Sequence, residues 1–224
     1  MTAETFKAET VVLVHGLWTP AAVFALHDRW LRCRGYRTLR FGYPSVRGTL
    51  SQNAQRLRRF IATQCASNTS GYLHLVGHSL GGLVILEMLR QGADPRLRRV
   101  VLLGTPSLDS HCARRLAATA GMSMLLGRSI GEWLARAPDT AAAVPADMAI
   151  GVLAGTRSVG LGRVVPGLPR PNDGVVTLGE TRLPGAADFI ALPVAHSEML
   201  ASPRCAAQIA AFLETGRFLH GREG

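Results

Sequence analysis

Short runs of apolar residues alternate along this chain with longer segments in which apolar positions recur three or four residues apart. Apolar runs of this kind, bounded by turn residues, are typical of strands that are buried on both faces. Six segments have the pattern: residues 11–15, 38–43, 72–76, 100–103, 150–154 and 189–194. We therefore predict a sheet of six strands.

The segments between these runs have the spacing and the end signals of helices. Thr19 followed by Pro20 predicts a helix start, and Gly35 predicts the end of that helix, because glycine readily takes the left-handed conformation there. Helical spacing recurs over residues 50–61, 83–89 and 202–213. Strands that alternate with helices favour a mostly parallel sheet with helices on both faces. Ligands of such sheets bind at the carboxyl ends of the strands.

A glycine-rich segment, G-H-S-L-G-G at residues 77–82, follows the third predicted strand and precedes an apolar helix. A nucleophile that projects above a sheet needs a sharp strand-to-helix turn, and glycines around it remove side chains that would clash. The helix start also directs backbone N–H groups at the reacting centre. These features predict Ser79 as a nucleophile. The alternative is an ordinary glycine-rich turn, because the G-x-S-x-G pattern by itself also fits such a turn.

A serine nucleophile needs a base, for which seven histidines compete. His196 directly follows the last predicted strand, so it lies at the carboxyl end of the sheet and is the candidate base; the alternative is a solvated loop histidine. The other six are expected in other settings: His15 shapes a loop, His27 and His111 are helical, His74 is within a strand, His78 is too close to Ser79 to bend back onto it, and His220 is in the tail.

The carboxylate that orients the base should follow a strand between the serine and the histidine. Asp173 meets this condition after the long loop of residues 156–173, and it is the candidate acid. Asp109 follows the fourth predicted strand and is a rival, whereas Asp147 and Asp188 precede strands and lie at the wrong end. An ordinary Asn-Asp-Gly turn is the alternative for Asp173.

Acyl transfer also requires hydrogen-bond donors for the oxyanion that forms at the substrate carbonyl. The N–H of Leu80, directly after the candidate nucleophile, is one expected donor. The second is expected from the loop after the first strand, where Gly16 lets the backbone turn towards the site. We therefore predict that the N–H of Leu17 is the other donor.

Together these segments resemble a known family. The relevant motifs are V-L-V-H-G-L-W (12–18), G-H-S-L-G-G (77–82), L-G-T-P (103–106), N-D-G-V-V (172–176) and H-S-E-M-L (196–200). They look like a small bacterial esterase or lipase of the α/β-hydrolase superfamily, over nearly the whole chain. The resemblance implies a three-layer α/β-hydrolase fold with a minimal, mostly parallel sheet of about six strands and a small cap segment. It also implies Ser79, Asp173 and His196 as the catalytic triad, with Leu17 and Leu80 as oxyanion donors.

The same scaffold supports several reactions. We expect hydrolysis of carboxylic esters through an acyl-enzyme, with a thioesterase, an acyltransferase or a catalytically silent scaffold as alternatives. One domain is expected over residues 1–224, with a short cap-like insert at about 107–148. The insert is either a packing helix or an apolar flap over the serine, for short- to medium-chain acyl or aromatic esters. Trp18, Met124, Leu125 and Trp133 are the candidate pocket residues.

Composition changes this picture little. The net charge of +10 comes from arginines spread along the chain, without interleaved aromatic residues, so nucleic-acid binding is not expected. No apolar run is long enough to cross a bilayer, and residues 1–10 lack a signal-peptide pattern, so we expect no stable membrane insertion. The four cysteines, Cys33, Cys65, Cys112 and Cys205, have no metal-site or disulfide spacing, which favours a cytoplasmic location. No metal and no cofactor are expected, and the predicted partner is a small-molecule ester.

Overall fold

The computed structural model describes residues 9–66, 71–119, 123–136, 148–160 and 167–221. Expectations about residues 1–8, Asp147, residues 137–147 of the cap-like insert and residues 161–166 of the long loop lie outside the described residues.

The described chain forms one six-stranded sheet, and this confirms the predicted strands. The strands are β1 (Thr10–Val14), β2 (Arg37–Phe41), β3 (Leu73–His78), β4 (Leu97–Leu103), β5 (Ala149–Gly155) and β6 (Asp188–Leu192). Their order is β2-β1-β3-β4-β5-β6, and all five pairings between neighbours are parallel. Every residue of β1 and β3 is buried, whereas the edge strands β2 and β6 expose part of their length.

Helices cover both faces of the sheet, as the alternation predicted. They are α1 (Ala25–Arg32), α2 (Leu50–Gln64), α3 (Leu80–Arg90), α4 (His111–Ala117), α5 (Ser123–Ala135) and α6 (Pro203–Thr215). Two apolar cores result. In one, α1 and α6 pack on the sheet through Leu31 and Phe212, and in the other, α2 and α3 pack on the opposite face through Leu57 and Ile85.

The predicted helix ends are partly correct. Ser202 accepts a hydrogen bond from the Cys205 N–H at the start of α6, and Gly216 ends that helix in the left-handed conformation. The start expected at Thr19 was wrong, because the Thr19 hydroxyl instead donates to the carbonyl of Gly16 (3.1 Å). Pro20 then precedes a short 3₁₀ helix, Ala21–Phe24, which leads into α1.

The cysteines at positions 65 and 205 are buried, and both are free thiols. No helix in the described part of the chain has the length and apolar character needed to cross a membrane.

Candidate active site

The turn between β3 and α3 holds Ser79 in a strained backbone conformation. Ser79 has φ 54° and ψ −122°, directly before the first residue of α3. Among the described non-glycine residues, only Ser79 and Trp18 have positive φ. Such strain persists where the surrounding structure over-determines it, and it concentrates at functional sites. The helix also begins three residues earlier than its apolar pattern suggested, because Leu80 already belongs to its first turn.

The glycine at position 81 lets this turn pack against the end of β1. A Cβ atom there would lie 2.1 Å from the Val14 carbonyl oxygen and 2.5 Å from that of His15. Only glycine therefore allows the N-terminus of α3 to approach the β1 carboxyl end so closely. The loop after β1 reaches Ser79 itself, since a Cβ at Gly16 would lie 3.2 Å from the Ser79 Cβ.

Asp173 and His196 form a buried hydrogen-bonded pair at the carboxyl ends of the strands, on the same side of the sheet as Ser79. The Asp173 Oδ2 and His196 Nδ1 atoms are 2.7 Å apart. The other carboxylate oxygen, Oδ1, accepts the N–H groups of Val175 (2.9 Å) and Val176 (2.8 Å). The His196 N–H also donates to the Asp173 carbonyl (2.9 Å). A carboxylate on Nδ1 favours the tautomer in which Nε2 is free to accept a proton.

Gly104, at the end of β4, makes room for this pair. It has φ 53°, and a Cβ there would lie 3.0 Å from both Asp173 Oδ2 and His196 Nδ1. Because nearly all real Cβ contacts are longer, a side chain at this position would force Asp173, His196 or both to shift. Sequence reasoning noted the surrounding L-G-T-P segment only as part of a resemblance, and it missed this function of the glycine.

His78 connects the Ser79 turn with His196. Its Nε2 lies 3.0 Å from the His196 carbonyl oxygen, and the two ring centroids are 4.6 Å apart. Burial, and secondarily the neighbouring His196, hold the pKa of His78 well below the usual histidine range. The expectation that His78 does not serve Ser79 as a base agrees with this geometry, but its contact with His196 was missed.

The two predicted oxyanion donors flank the turn. Leu80 is the first residue of α3, so its N–H has no acceptor within the helix. Leu17 belongs to the loop that contacts Ser79 through Gly16. The helix N-terminus adds partial positive charge at the same place. Leu80 therefore directly follows Ser79 in the chain, and Leu17 directly follows the glycine that approaches Ser79 in space.

Three of the four candidate pocket residues lie near this loop. The Trp18 indole N–H donates to the Leu125 carbonyl (2.8 Å), which joins the β1 loop to the first turn of α5. Trp18, Met124 and Leu125 are 55%, 82% and 51% exposed. Trp133 lies elsewhere, partly buried in a cleft with Leu86 and with other residues of α2 and α3.

The competing side chains have other partners. Asp109 is half-exposed and pairs with Arg114. Asp188 begins β6 and binds the Phe218 N–H and the His220 ring at the opposite end of the strands.

Cys112 is buried near Asp173, and burial raises the pKa of its thiol to about 11, so no thiolate forms at neutral pH. Among the described residues, no group of His, Cys, Asp and Glu side chains could hold a metal ion.

The remaining histidines shape the surroundings. His15 Nδ1 lies 2.8 Å from the Gly16 carbonyl, and the His15 ring stacks on Tyr43. His27, in α1, contacts the Met199 carbonyl with Nε2 (2.8 Å). His74 is fully buried in β3 with its ring against Tyr36. Each agrees with the setting that the sequence suggested.

Comparison with known proteins identifies the family. A sequence model described as the alpha/beta hydrolase family matches residues 11–219. The chain belongs to the alpha/beta hydrolase family. The match includes β2 to β6, all of β1 except Thr10, and every residue of the candidate site. No match was found among curated protein sequences.

Solved structures of lipases and esterases share the fold. A Bacillus licheniformis lipase, BlEst2 in its mature form, is 20% identical with a TM-score of 0.76, and the alignment covers 92% of this chain and 91% of the lipase. A thermophilic esterase from Thermogutta terrifontis is 18% identical, with a TM-score of 0.63 and coverage of 93% and 90%. A metagenomic carboxyl esterase, MGS0156, is 21% identical, with a TM-score of 0.62 and coverage of 86% and 65%. At these identities the likeness concerns the fold.

Proposed function

We propose that this hydrolase cleaves carboxylic esters through an acyl-enzyme intermediate, with Ser79 as nucleophile, His196 as general base and Asp173 as the orienting acid. The observation that carries the proposal is the buried Asp173–His196 hydrogen bond beside a serine in a strained turn at a helix N-terminus. Family membership supports a hydrolase, and the site geometry supports the serine mechanism.

In the first half of the reaction, Ser79 Oγ attacks the carbonyl carbon of the ester while His196 Nε2 takes the hydroxyl proton. The carbonyl electron pair moves onto oxygen, and the N–H groups of Leu80 and Leu17 stabilise the resulting oxyanion. Collapse of this intermediate expels the alcohol, which leaves with the proton from His196. The acyl group then remains on Ser79.

In the second half, water attacks the acyl carbon and gives a proton to His196. The carboxylic acid leaves as Ser79 recovers its proton. Asp173 keeps the imidazole in the required tautomer and stabilises the imidazolium that forms in each half. Its own position is held by the two backbone N–H groups on Oδ1, so the carboxylate needs no rearrangement during the cycle.

The substrate class follows from the apolar side chains beside the site. Trp18, Met124 and Leu125 expose apolar surface next to the loop that contacts Ser79, and exposed apolar patches commonly mark binding sites. Flexible methionine side chains adapt to varied apolar ligands. We propose short- to medium-chain acyl or aromatic esters, and a single domain over residues 1–224 in which about 107–148 form a cap-like insert.

The anchoring of α5 supports a small cap. Gly127 interrupts the helix with φ 71°, and the following N–H, of Arg128, donates to the Val46 carbonyl (2.9 Å). Beyond the interruption, the Ser129 hydroxyl donates to the Gly48 carbonyl (2.8 Å), and Arg136 pairs with the buried Glu87. The second half of α5 is thus held by α2, α3 and the loop before α2, while its first turn carries the apolar surface.

A fluorophosphonate probe tests the chemistry. It should label the wild-type protein and not Ser79→Ala, whose kcat for p-nitrophenyl butyrate should fall on the order of 10⁴–10⁶. Labelling of Ser79→Ala by the probe would contradict the proposal, and so would a Ser79→Ala protein that keeps a tenth of the wild-type kcat.

A series of p-nitrophenyl acetate, butyrate, octanoate and palmitate tests the substrate class. The expected kcat/KM declines at palmitate, whereas no turnover of any ester would favour a thioesterase or an acyltransferase.

A further inference from the structure

His78 directly precedes the candidate nucleophile in the chain and contacts the candidate base in space. It is the last residue of β3, and strand alternation puts its side chain on the face of Val76, which packs in the core formed with α1 and α6. His196 follows β6 and begins the segment that leads into α6. The His78 ring therefore contacts the segment that contains His196, although 118 positions separate the two residues in the chain.

The contacts of His78 assign its tautomer. The His196 carbonyl can only accept a hydrogen bond, so Nε2 of His78 donates to it (3.0 Å). Nδ1 is then unprotonated, and it is buried without a hydrogen bond in the described part of the chain. Its neighbour there is Gly16, where a Cβ would lie 3.1 Å from Nδ1. A neutral ring with one donor fits this setting.

His196 is held from several directions. Its N–H donates to the Asp173 carbonyl, and its ring Nδ1 contacts the Asp173 carboxylate. Its own carbonyl accepts from His78, whose ring also packs on the His196 ring at 4.6 Å. Asp173 thus orients one edge of the imidazole, while His78 fixes the main chain and limits movement of the ring face.

We propose that His78 is a positioning residue for the general base, which holds His196 in the place where Nε2 can take the Ser79 proton. The proposal rests on the proposed function of Ser79 and His196. A buried carbonyl that loses its donor draws the local main chain towards another partner. A small displacement of a catalytic group lowers the rate of reaction far more than it changes substrate binding.

His27 provides a matched control within the same segment. It is also buried and neutral, and its Nε2 lies 2.8 Å from the carbonyl of Met199, three residues beyond His196. A purely structural function of these histidines predicts equal effects of their replacement on activity. A positioning function predicts that only His78 has a large effect on kcat.

The test compares His78→Met, His78→Gln and His27→Met in full-length protein with p-nitrophenyl butyrate. His78→Met removes the donor, and we expect kcat to fall about 10- to 100-fold with KM within about twofold. His78→Gln places an amide N–H near the position of Nε2 and should keep kcat within about threefold of wild type. His27→Met should lower Tm as much as His78→Met does while keeping kcat within about threefold.

A spectroscopic readout separates this proposal from the proposed function. The His196 Nδ1–H, hydrogen bonded to Asp173, should give a downfield proton NMR resonance that broadens or disappears in His78→Met and persists in His78→Gln. This measurement needs no turnover. If wild type hydrolysed no ester but the resonance behaved in this way, the proposed function would fail and the positioning of His196 would stand.

Two results would overturn the proposal: wild-type kcat together with an unchanged resonance in His78→Met, or an equal loss of kcat in His27→Met. If His78→Met does not fold, His78→Asn replaces it, since that amide is too short to reach the His196 carbonyl. The same expected values and the same refuting results then apply.

Discussion

Replacing Asp173 by Asn is the sharpest perturbation of the candidate site, because the structure dictates how the new amide must lie. The Val175 and Val176 N–H groups both point at Oδ1, so the asparagine carbonyl oxygen will take that place. The opposite orientation would leave the part-buried Val175 N–H and the buried Val176 N–H without their acceptor, and an unsatisfied buried donor costs about 1–3 kcal/mol. The amide NH₂ therefore faces His196 Nδ1, where the carboxylate oxygen lay at 2.7 Å.

This orientation forces His196 into the wrong tautomer. Nδ1 must accept from the amide, so Nε2 carries the proton and cannot take one from Ser79. We expect kcat to fall roughly 10³- to 10⁴-fold, which corresponds to about 4–5.5 kcal/mol of transition-state stabilisation. The polar contacts on Oδ1 persist in the variant, and Tm should therefore change little.

The assay is kcat for p-nitrophenyl butyrate well below Tm, with the unfolding transition recorded for every variant. Asp109→Asn is the matched control. Its carboxylate is half-exposed and pairs with Arg114, so its removal should change kcat by less than about twofold. A folded Asp173→Asn protein with more than about a tenth of wild-type kcat, or reversed effects of the two substitutions, would refute the assignment of the acid.

The remaining predictions concern the space around the site and its response to acid. Gly104→Ala should lower kcat at least about tenfold and lower Tm, because the new Cβ would lie 3.0 Å from the candidate acid and base. Gly131→Ala, which has open space around the new methyl group, should leave kcat and Tm unchanged or raise Tm, and equal behaviour of the two variants would contradict the packing argument. Burial lowers the pKa of His27 and of His78, and three nearby histidines (His196, His27 and His15) lower that of His78 further. The unfolded chain therefore takes up more protons than the folded one as pH falls below about 6.5. The urea midpoint should therefore decrease from pH 7 to pH 5, and less steeply in His27→Gln; a midpoint independent of pH would refute this.

The strands and the Ser79 turn could be predicted because their signals are local. Buried parallel strands need continuous apolar runs, and the six runs of the sequence became the six strands. The turn depends on glycines within three positions of Ser79, all visible in one short segment. The chain order of strands also placed Asp173 and His196 at one edge of the sheet, where the structure brings them within 2.7 Å.

The features that could not be predicted depend on contacts between distant segments. For His78, sequence reasoning considered only a contact with its chain neighbour Ser79. Its partner in the structure is His196, which follows a different strand. Gly104 is important because it has no Cβ atom to collide with Asp173 and His196. This function can be recognised only when the residues that pack against the end of β4 are known. Thr19 has the residue type of a helix cap, but its hydroxyl binds Gly16 because the loop after β1 turns back at Trp18.

The parallel sheet also governs how the candidate site depends on folding. Each of its parts follows a different strand: Gly16 follows β1, Ser79 follows β3, Gly104 follows β4, Asp173 follows β5 and His196 follows β6. A collapsed intermediate could keep the helices and part of the sheet without bringing these five together. Ester hydrolysis should consequently be a stricter indicator of native structure than helical content, and it should return only at the end of refolding, after the long-range strand pairings have formed.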